Sequence, residues 1–284
     1  MNKTKIWIAG ANGQLGTAIC DQIDYDKYAL LSTDIDLDIT DLDAVNSYVN
    51  MTHPNVIINC AGMTDLNACE EDPIQAYRVN AIGARNLCAA SRSISAKFVQ
   101  ISTDDVFDGK LQVALNEFDA VNPLTVYGKS KLAGESFVRE LNPKHIIIRS
   151  SWIYGNGKNN FVSHILEESK TKSVIQVPSD QFSTPTSASE LAKFILHLLE
   201  TNEYGTFHAS CEGMCSRYEF AKVILKLAGI TNVTIEPAFS TATESVTGRS
   251  RYTILDNLMM KLTDCYEMPA WRDALADYID NLNK

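Results

Sequence analysis

The sequence predicts an α/β protein, a doubly wound parallel sheet with a smaller, interleaved α+β lobe. Three observations predict it. Short apolar runs alternate with helix-length stretches as far as about residue 150, the signature of a parallel sheet covered on both faces. A glycine-rich turn follows the first apolar run directly. Beyond about Ser151 the texture changes to shorter elements and longer loops.

The first strand is Ile6-Trp7-Ile8-Ala9, followed by Gly10, Gly13 and Gly16 and a helical stretch to about Ile23. A second strand, Tyr28 to Thr33, ends at Asp34; a helix follows Asp41, and Val56-Ile57-Ile58-Asn59 is a third strand. A helix from about Pro73 to Ser93, a strand Phe98 to Ile101, a helix near Lys129 to Glu140 and a strand Ile146 to Ile148 continue the alternation. Next come a Gly/Asn-rich loop from Gly155 to Asn160, a helix from Phe161, a strand Val174 to Val177 and a helix Ala188 to Leu199, the last two read as a return to the sheet. From Tyr204 onward, helices Arg217 to Ala228, Asp256 to Leu262 and Trp271 to Leu282 alternate with short strands. No internal repeat or low-complexity segment interrupts the chain.

Composition narrows the class of function. The 284 residues are 45% hydrophobic and 21% charged, the balance of a globular protein with a sizeable core. Twenty-five basic against 35 acidic residues give a net charge of −10, which provides no general attraction for nucleic acid or an anionic membrane. An anionic substrate would need a local basic pocket. No apolar run approaches the roughly 20 residues that span a bilayer, and the start shows no cleavage-type segment, so a cytoplasmic location is expected. The seven cysteines are scattered without a C-x-x-C pair. Reduced thiols are expected, and no metal site, although Cys211 and Cys215 are near enough in sequence to pair.

Gly10-Ala11-Asn12-Gly13-Gln14-Leu15-Gly16 places glycines at a strand-to-helix turn, where backbone can approach a pyrophosphate and offer it helix N-terminal amides. Asp34 ends the second strand 18 residues beyond Gly16. A carboxylate there accepts hydrogen bonds from adenosine ribose hydroxyls and repels a 2′-phosphate, which favours NADH over NADPH. Tyr127 and Lys131 are four apart and share one helix face. An ammonium that lowers the phenol's pKa would make Tyr127 a usable proton donor or acceptor near neutrality. Ser102-Thr103-Asp104 follows the fourth strand and adds a hydroxyl at the sheet's carboxyl edge, where ligands bind in such folds.

These segments, with Asn59-Cys60-Ala61-Gly62-Met63-Thr64, Val79-Asn80-Ala81, Lys131-Leu132-Ala133-Gly134-Glu135, Ser151-Trp152-Ile153-Tyr154-Gly155, Asn159-Asn160-Phe161 and Asp180-Gln181-Phe182, run nearly end to end. In this order they closely resemble the dTDP-4-dehydrorhamnose reductase family of extended short-chain dehydrogenase/reductases. The resemblance implies a Rossmann-like NAD(P)-binding domain over 1–152 plus about 174–201, and a sugar-nucleotide-binding domain over about 153–173 and 202–284. It implies reduction of the C4 ketone of dTDP-4-dehydro-L-rhamnose for polysaccharide biosynthesis, with Thr103, Tyr127 and Lys131 as the catalytic set. Tyr127 would give the proton, Lys131 would hold the nicotinamide ribose and Thr103 would orient the carbonyl.

By the same resemblance, NADH or NADPH would meet Gly10, Gly13, Gln14, Leu15, Gly16, Asp34, Asp38, Ile39, Cys60, Ala61, Gly62, Thr64, Asn80, Tyr127, Lys131 and Trp152. The nucleotide sugar would meet Thr64, Asp104, Asp105, Trp152, Asn160, Gln181 and Arg249. Trp152 also reads as core and Asn160 as a helix cap. Three departures from the family pattern stand out: Asp105 replaces a tyrosine, Asn67-Ala68-Cys69-Glu70 lacks a usual lysine, and Arg249-Ser250-Arg251 lacks a proline. Arg249 or Arg251 remains available to neutralise a substrate pyrophosphate. A monomer or homodimer is expected. The alternatives are a reductase or epimerase of another nucleotide sugar, and a non-catalytic NAD(P)-binding regulatory subunit, against which the retained Thr103, Tyr127 and Lys131 weigh.

Overall fold

A computed structural model describes residues 3–157, 160–240 and 250–282. The first half comprises β1 (Thr4–Ala9), α1 (Gln14–Asp21), β2 (Tyr28–Thr33), α2 (Leu42–Thr52), β3 (Val56–Asn59), α3 (Leu66–Glu71), α4 (Pro73–Tyr77), α5 (Ala84–Ser93), β4 (Lys97–Thr103), α6 (Val126–Leu141) and β5 (His145–Ser150). The second comprises β6 (Ile153–Tyr154), α7 (Phe161–Glu168), β7 (Val174–Pro178), β8 (Phe182–Ser183), β9 (Thr186–Ser187), α8 (Ala188–Leu199), β10 (Gly205–His208), β11 (Cys215–Ser216), α9 (Arg217–Leu227), β12 (Thr234–Ala238), α10 (Leu258–Thr263) and α11 (Trp271–Leu282).

Six strands form the main sheet in the order β10-β5-β4-β3-β1-β2, every pair parallel. Successive side chains of a strand point to opposite faces, and both faces here are buried. Ile6, Ile8, Ile58, Val99, Ile146 and Ile148 pack on one face with α1 and α8, while Trp7, Ile57, Phe98 and Ile147 pack on the other with α2, α5 and α6. Each such side chain contributes roughly 1.5–3 kcal/mol by leaving water. The apolar runs are therefore continuous, and the expected doubly wound architecture is the one observed.

Two expectations about the sheet are corrected. Val174–Pro178 does not return to it but pairs with Thr234–Ala238 in a separate two-stranded sheet. Its residues alternate exposed and buried, as one-sided packing requires, and Gln176 takes an exposed position. The sixth sheet strand is Gly205–His208 against β5, whose ending in His208 gives no apolar run to read. The predicted helix over 73–93 is interrupted by a π-helical turn, Arg78–Gly83. The predicted helix at Lys129 begins earlier, at Val126, because the Thr125 side chain caps it by accepting from the Gly128 amide. All seven cysteines, Cys211 and Cys215 included, are free. No helix among the described residues is long and apolar enough to cross a membrane.

Candidate active site

A cleft of about 1060 Å³ opens over the carboxyl ends of β1, β3, β4 and β5, and residues of the second half close its far side. Sheet polarity puts it there, because parallel strands deliver all their C-terminal loops to one edge. The cleft brings together Gly13, Gln14, Leu15, Gly16, Cys60, Ala61, Gly62, Thr64, Thr103, Asp104, Asp105, Tyr127, Lys131, Trp152, Asn160 and Gln181, all expected from the sequence.

Tyr127 and Lys131 lie one turn apart on α6, and the Tyr127 hydroxyl is within hydrogen-bonding reach of Thr103 at the end of β4. The Thr103 hydroxyl donates to Asp104 Oδ1 at 3.1 Å and accepts from the Asp105 amide at 3.1 Å. Lys131 Nζ donates to the Ile101 carbonyl at 2.6 Å. Burial lowers its pKa to about 8, with the Glu135 carboxylate opposing the shift.

The expected lowering of Tyr127 is corrected. Burial first, and then the neighbouring Asp105 charge, push the phenol well above its ordinary range, while the Thr103 hydrogen bond opposes them. Lys131 does not reverse this, because its ammonium is drawn to the Ile101 carbonyl. The phenol is therefore protonated at neutrality.

A buried ion-pair network supports this end of the cleft. Glu135, one turn beyond Lys131 on α6, accepts from Arg149 Nε at 3.0 Å and Nη2 at 2.8 Å, and from the Ser102 hydroxyl at 2.6 Å. Arg139 Nη2 adds a contact at 2.6 Å. The paired charges hold the Glu135 carboxyl below its usual range despite burial. Ser102 precedes Thr103, so the network fastens β4 to the helix that carries Tyr127 and Lys131.

The described residues fit a dinucleotide. Gly10 has φ +80°, and a Cβ on Gly16 would lie 2.3 Å from the Gly10 carbonyl oxygen, so only glycine closes this turn at the start of α1. Asn80 fixes the wall opposite by accepting from the Met63 amide at 2.9 Å and donating to its carbonyl at 2.9 Å. A Cβ on Gly62 would approach Asn80 Oδ1 to 3.1 Å and lies 3.7 Å from Lys131 Nζ, a surface shaped for flat close contact. Among the described residues, the Ser150 hydroxyl, which lines the cleft, is buried with no hydrogen-bond partner, a polar atom of the kind a bound amide satisfies.

Other expected residues lie away from the cleft lining. Gly10 and Asn80 are behind it. Asp34 accepts from the Asn12 amide at 2.8 Å, which fixes its carboxylate beside the glycine turn. Asp38 accepts from the Thr40 amide at 2.8 Å, and Ile39 is buried in the core against Gly83. Arg249 lies outside the described residues.

On the far side, Asn160 caps α7 by accepting from the Ser163 amide at 3.0 Å, as its helix-cap reading expects, and it also lines the cleft. Gln181 donates to the Ser240 hydroxyl at 2.9 Å. Asp104 Oδ2 accepts from the Thr253 hydroxyl at 2.5 Å and lies 3.2 Å from Ser183 Oγ, linking β4 to the opposite wall. Glu70, in the segment that departs from the family pattern, accepts from the Val126 amide at 2.8 Å and steadies the start of α6. Sequence reasoning missed Ser150 and Arg217 in the lining. Ser216-Arg217-Tyr218-Glu219 does carry a helix-start signal, S-x-x-E. What brings Arg217 to the cleft, however, is the pairing of β11 with β8, a long-range contact.

The model of the family described as "RmlD substrate binding domain" matches residues 4–284. The chain is 35% identical over 280 residues to the spore coat polysaccharide biosynthesis protein SpsK of Bacillus subtilis, covering 97% of each chain. Among solved structures, a dTDP-4-dehydrorhamnose reductase from Clostridium acetobutylicum superposes with a TM-score of 0.95 at 46% identity, covering 99% of this chain and 100% of that one. A dTDP-4-dehydrorhamnose reductase from Bacillus anthracis, solved in complex with NADP, superposes with a TM-score of 0.96 at 38% identity, covering 99% and 100%.

Proposed function

The chain belongs to the dTDP-4-dehydrorhamnose reductase family, and from that premise we propose that it reduces the C4 ketone of dTDP-4-dehydro-L-rhamnose to dTDP-L-rhamnose with NADH or NADPH. The observation that carries this reading is the meeting of Thr103, Tyr127 and Lys131 in one cleft with the glycine turn of α1. A dihydronicotinamide held there would supply the hydride for C4. Tyr127, held protonated by its surroundings, delivers the proton to the carbonyl oxygen as negative charge develops there. Thr103 orients that oxygen by a hydrogen bond. Lys131 holds the nicotinamide ribose from its place beside Gly62. Gly13 and the first amides of α1 receive the cofactor pyrophosphate. The sheet with α1 to α6, α8 and β10 forms the cofactor unit, and the remaining elements form the sugar-nucleotide lobe. The seven free thiols support a cytoplasmic setting.

Asp34 argues for NADH. It sits with Asp36 and Asp38 in one short loop that holds no Lys or Arg, so a 2′-phosphate would meet carboxylates. Consumption of NADH and NADPH, followed by nicotinamide absorbance with enzymatically generated dTDP-4-dehydro-L-rhamnose, tests substrate and cofactor together. Rapid consumption is expected, with NADH favoured by about tenfold, the scale of one like-charge contact near a surface. Equal or better use of NADPH overturns the role of Asp34. An inert dTDP substrate beside an active UDP- or GDP-linked ketosugar overturns the substrate, and binding of cofactor with every sugar inert favours a regulatory subunit.

Cofactor affinity should also titrate. Lys131 is an ammonium below about pH 8 and loses its charge above it, so NADH binding should weaken as pH rises from 7 to 9.5. Lys131→Met should bind more weakly, with a flat profile over the same range. Unchanged parent affinity between these pH values would remove Lys131 from the cofactor site.

A further inference from the structure

The buried carboxylate of Asp104, just past the end of β4, is shared between the sheet edge and the far wall of the cleft. Its Oδ1 accepts from the Thr103 hydroxyl at 3.1 Å, and its Oδ2 accepts from the Thr253 hydroxyl at 2.5 Å. Thr253 is itself held by β8. Its amide donates to the Phe182 carbonyl at 3.0 Å, and its carbonyl accepts from the Ser183 hydroxyl at 2.8 Å. One residue earlier, the Tyr252 ring stacks on Phe182 with centroids 5.3 Å apart. Thr103, Asp104, Ser183 and Thr253 are all buried, so backbone and core packing on both sides fix the place where the two hydroxyls meet one carboxylate.

Proton counting makes the contact telling. A threonine hydroxyl has one proton and two lone pairs. The Thr103 proton goes to Asp104, which leaves the lone pairs to the Asp105 amide at 3.1 Å and to the Tyr127 hydroxyl. A ketone oxygen has no proton of its own, so Thr103 can orient it only by turning its proton from Asp104 into the cleft. A buried carboxylate that loses a donor is costly unless others satisfy it. The Thr253 hydroxyl is such a donor, at a shorter distance than Thr103, and it stays in place when Thr103 turns. It also holds the carboxylate where Thr103 is aimed.

We propose that Thr253 is a positioning residue for the reduction: through Asp104 it aims the Thr103 hydroxyl and frees its proton for the ketone oxygen. The role rests on the reading of the cleft as the site of ketone reduction. It also ties the far wall to the catalytic set, since Thr253 lines the cleft opposite the sheet edge. Ser183 supports the same contact from behind, with its Oγ 3.2 Å from Asp104 Oδ2.

Steady-state kinetics of the parent, Thr253→Val and Thr253→Ser with dTDP-4-dehydro-L-rhamnose test it, with NADH binding as the check that each variant is folded. Valine keeps the branched shape and removes only the donor. It should lower kcat by about 10- to 100-fold, the worth of a hydrogen bond to a charged group, and leave the sugar KM and NADH affinity within about threefold. Thr253→Ser retains the hydroxyl and should recover most of the lost kcat. Ser183→Ala loosens Thr253 without removing its hydroxyl and should lower kcat several-fold on the same pattern, which keeps the test decisive if the valine variant fails to fold. Parent kcat in Thr253→Val, or in Ser183→Ala where valine does not fold, overturns the proposal. So does a loss confined to KM, or one as large in Thr253→Ser as in Thr253→Val. A parent that binds NADH yet reduces no dTDP-, UDP- or GDP-linked 4-ketosugar overturns the reading of the cleft, and the role of Thr253 with it. A parent that reduces only a UDP- or GDP-linked ketosugar overturns the dTDP assignment alone, and the kcat comparison with that sugar then decides Thr253.

Discussion

Tyr127→Phe is expected to lower kcat by about 10²- to 10⁴-fold, the range for loss of a positioned general acid. At 1.36 kcal/mol per tenfold this is roughly 3–5 kcal/mol of transition-state stabilisation. Phenylalanine keeps the ring between α6 and β4, and Thr103 stays anchored to Asp104, so the loss falls on proton delivery rather than on architecture. NADH affinity should therefore be nearly unchanged, because Lys131 and the glycine turn are untouched. A kcat within about threefold of the parent, well short of that range, would remove Tyr127 from the mechanism.

Glu135→Ala should be the most destabilising single change near the site, by about 3–5 kcal/mol. The substitution leaves the Arg149 guanidinium, whose side chain is 3% exposed, without its bidentate partner, and strips Ser102 of its acceptor. A loss of this size is a large part of the 5–15 kcal/mol that holds a typical domain folded. Thermal denaturation should show it as a fall of many degrees. Glu135→Leu combined with Arg149→Met should be less destabilised than either single variant, because no buried charge is then left alone. A Glu135→Ala variant within about 1 kcal/mol of the parent, the ordinary effect of a point mutation, would show that the network does not brace α6. The sign with pH follows from the same pair. Because Arg149 and its neighbours hold the Glu135 carboxyl below its ordinary value of 4.5, its contribution is complete above that pH and is lost as acid protonates it.

What the sequence made legible was local or periodic. Ile6 to Gly16 encodes a strand, a turn only glycine can close and a helix, all within a few residues, and the sheet's central runs declare double-sided burial. Tyr127 and Lys131 announce a shared face because helix geometry alone fixes it. The parts that were not legible depend on long-range pairing or on the field inside the cleft. Gly205–His208 carries no apolar run, yet it completes the sheet because β5 offers an edge for it. Val174–Pro178 carries a strand pattern but has its partner in Thr234–Ala238. The phenol of Tyr127 is raised rather than lowered because Asp105 and burial act on it while Lys131 turns to the Ile101 carbonyl, a balance that spacing along a helix does not disclose. Arg217 is an ordinary first-turn residue of a helix until β11 meets β8 and places it over Trp152.

The central claim is hydride delivery to C4 with a proton delivered to its oxygen, and following a deuterium label tests it most directly. Reduced nicotinamide deuterated at its transferable position is incubated with dTDP-4-dehydro-L-rhamnose, and the sugar product is read by NMR and mass spectrometry. The account predicts dTDP-L-rhamnose carrying a single deuterium at C4, and its formation suppressed in Tyr127→Phe. Product with deuterium at any other carbon, or a sugar recovered unlabelled while the parent still binds cofactor, would contradict it.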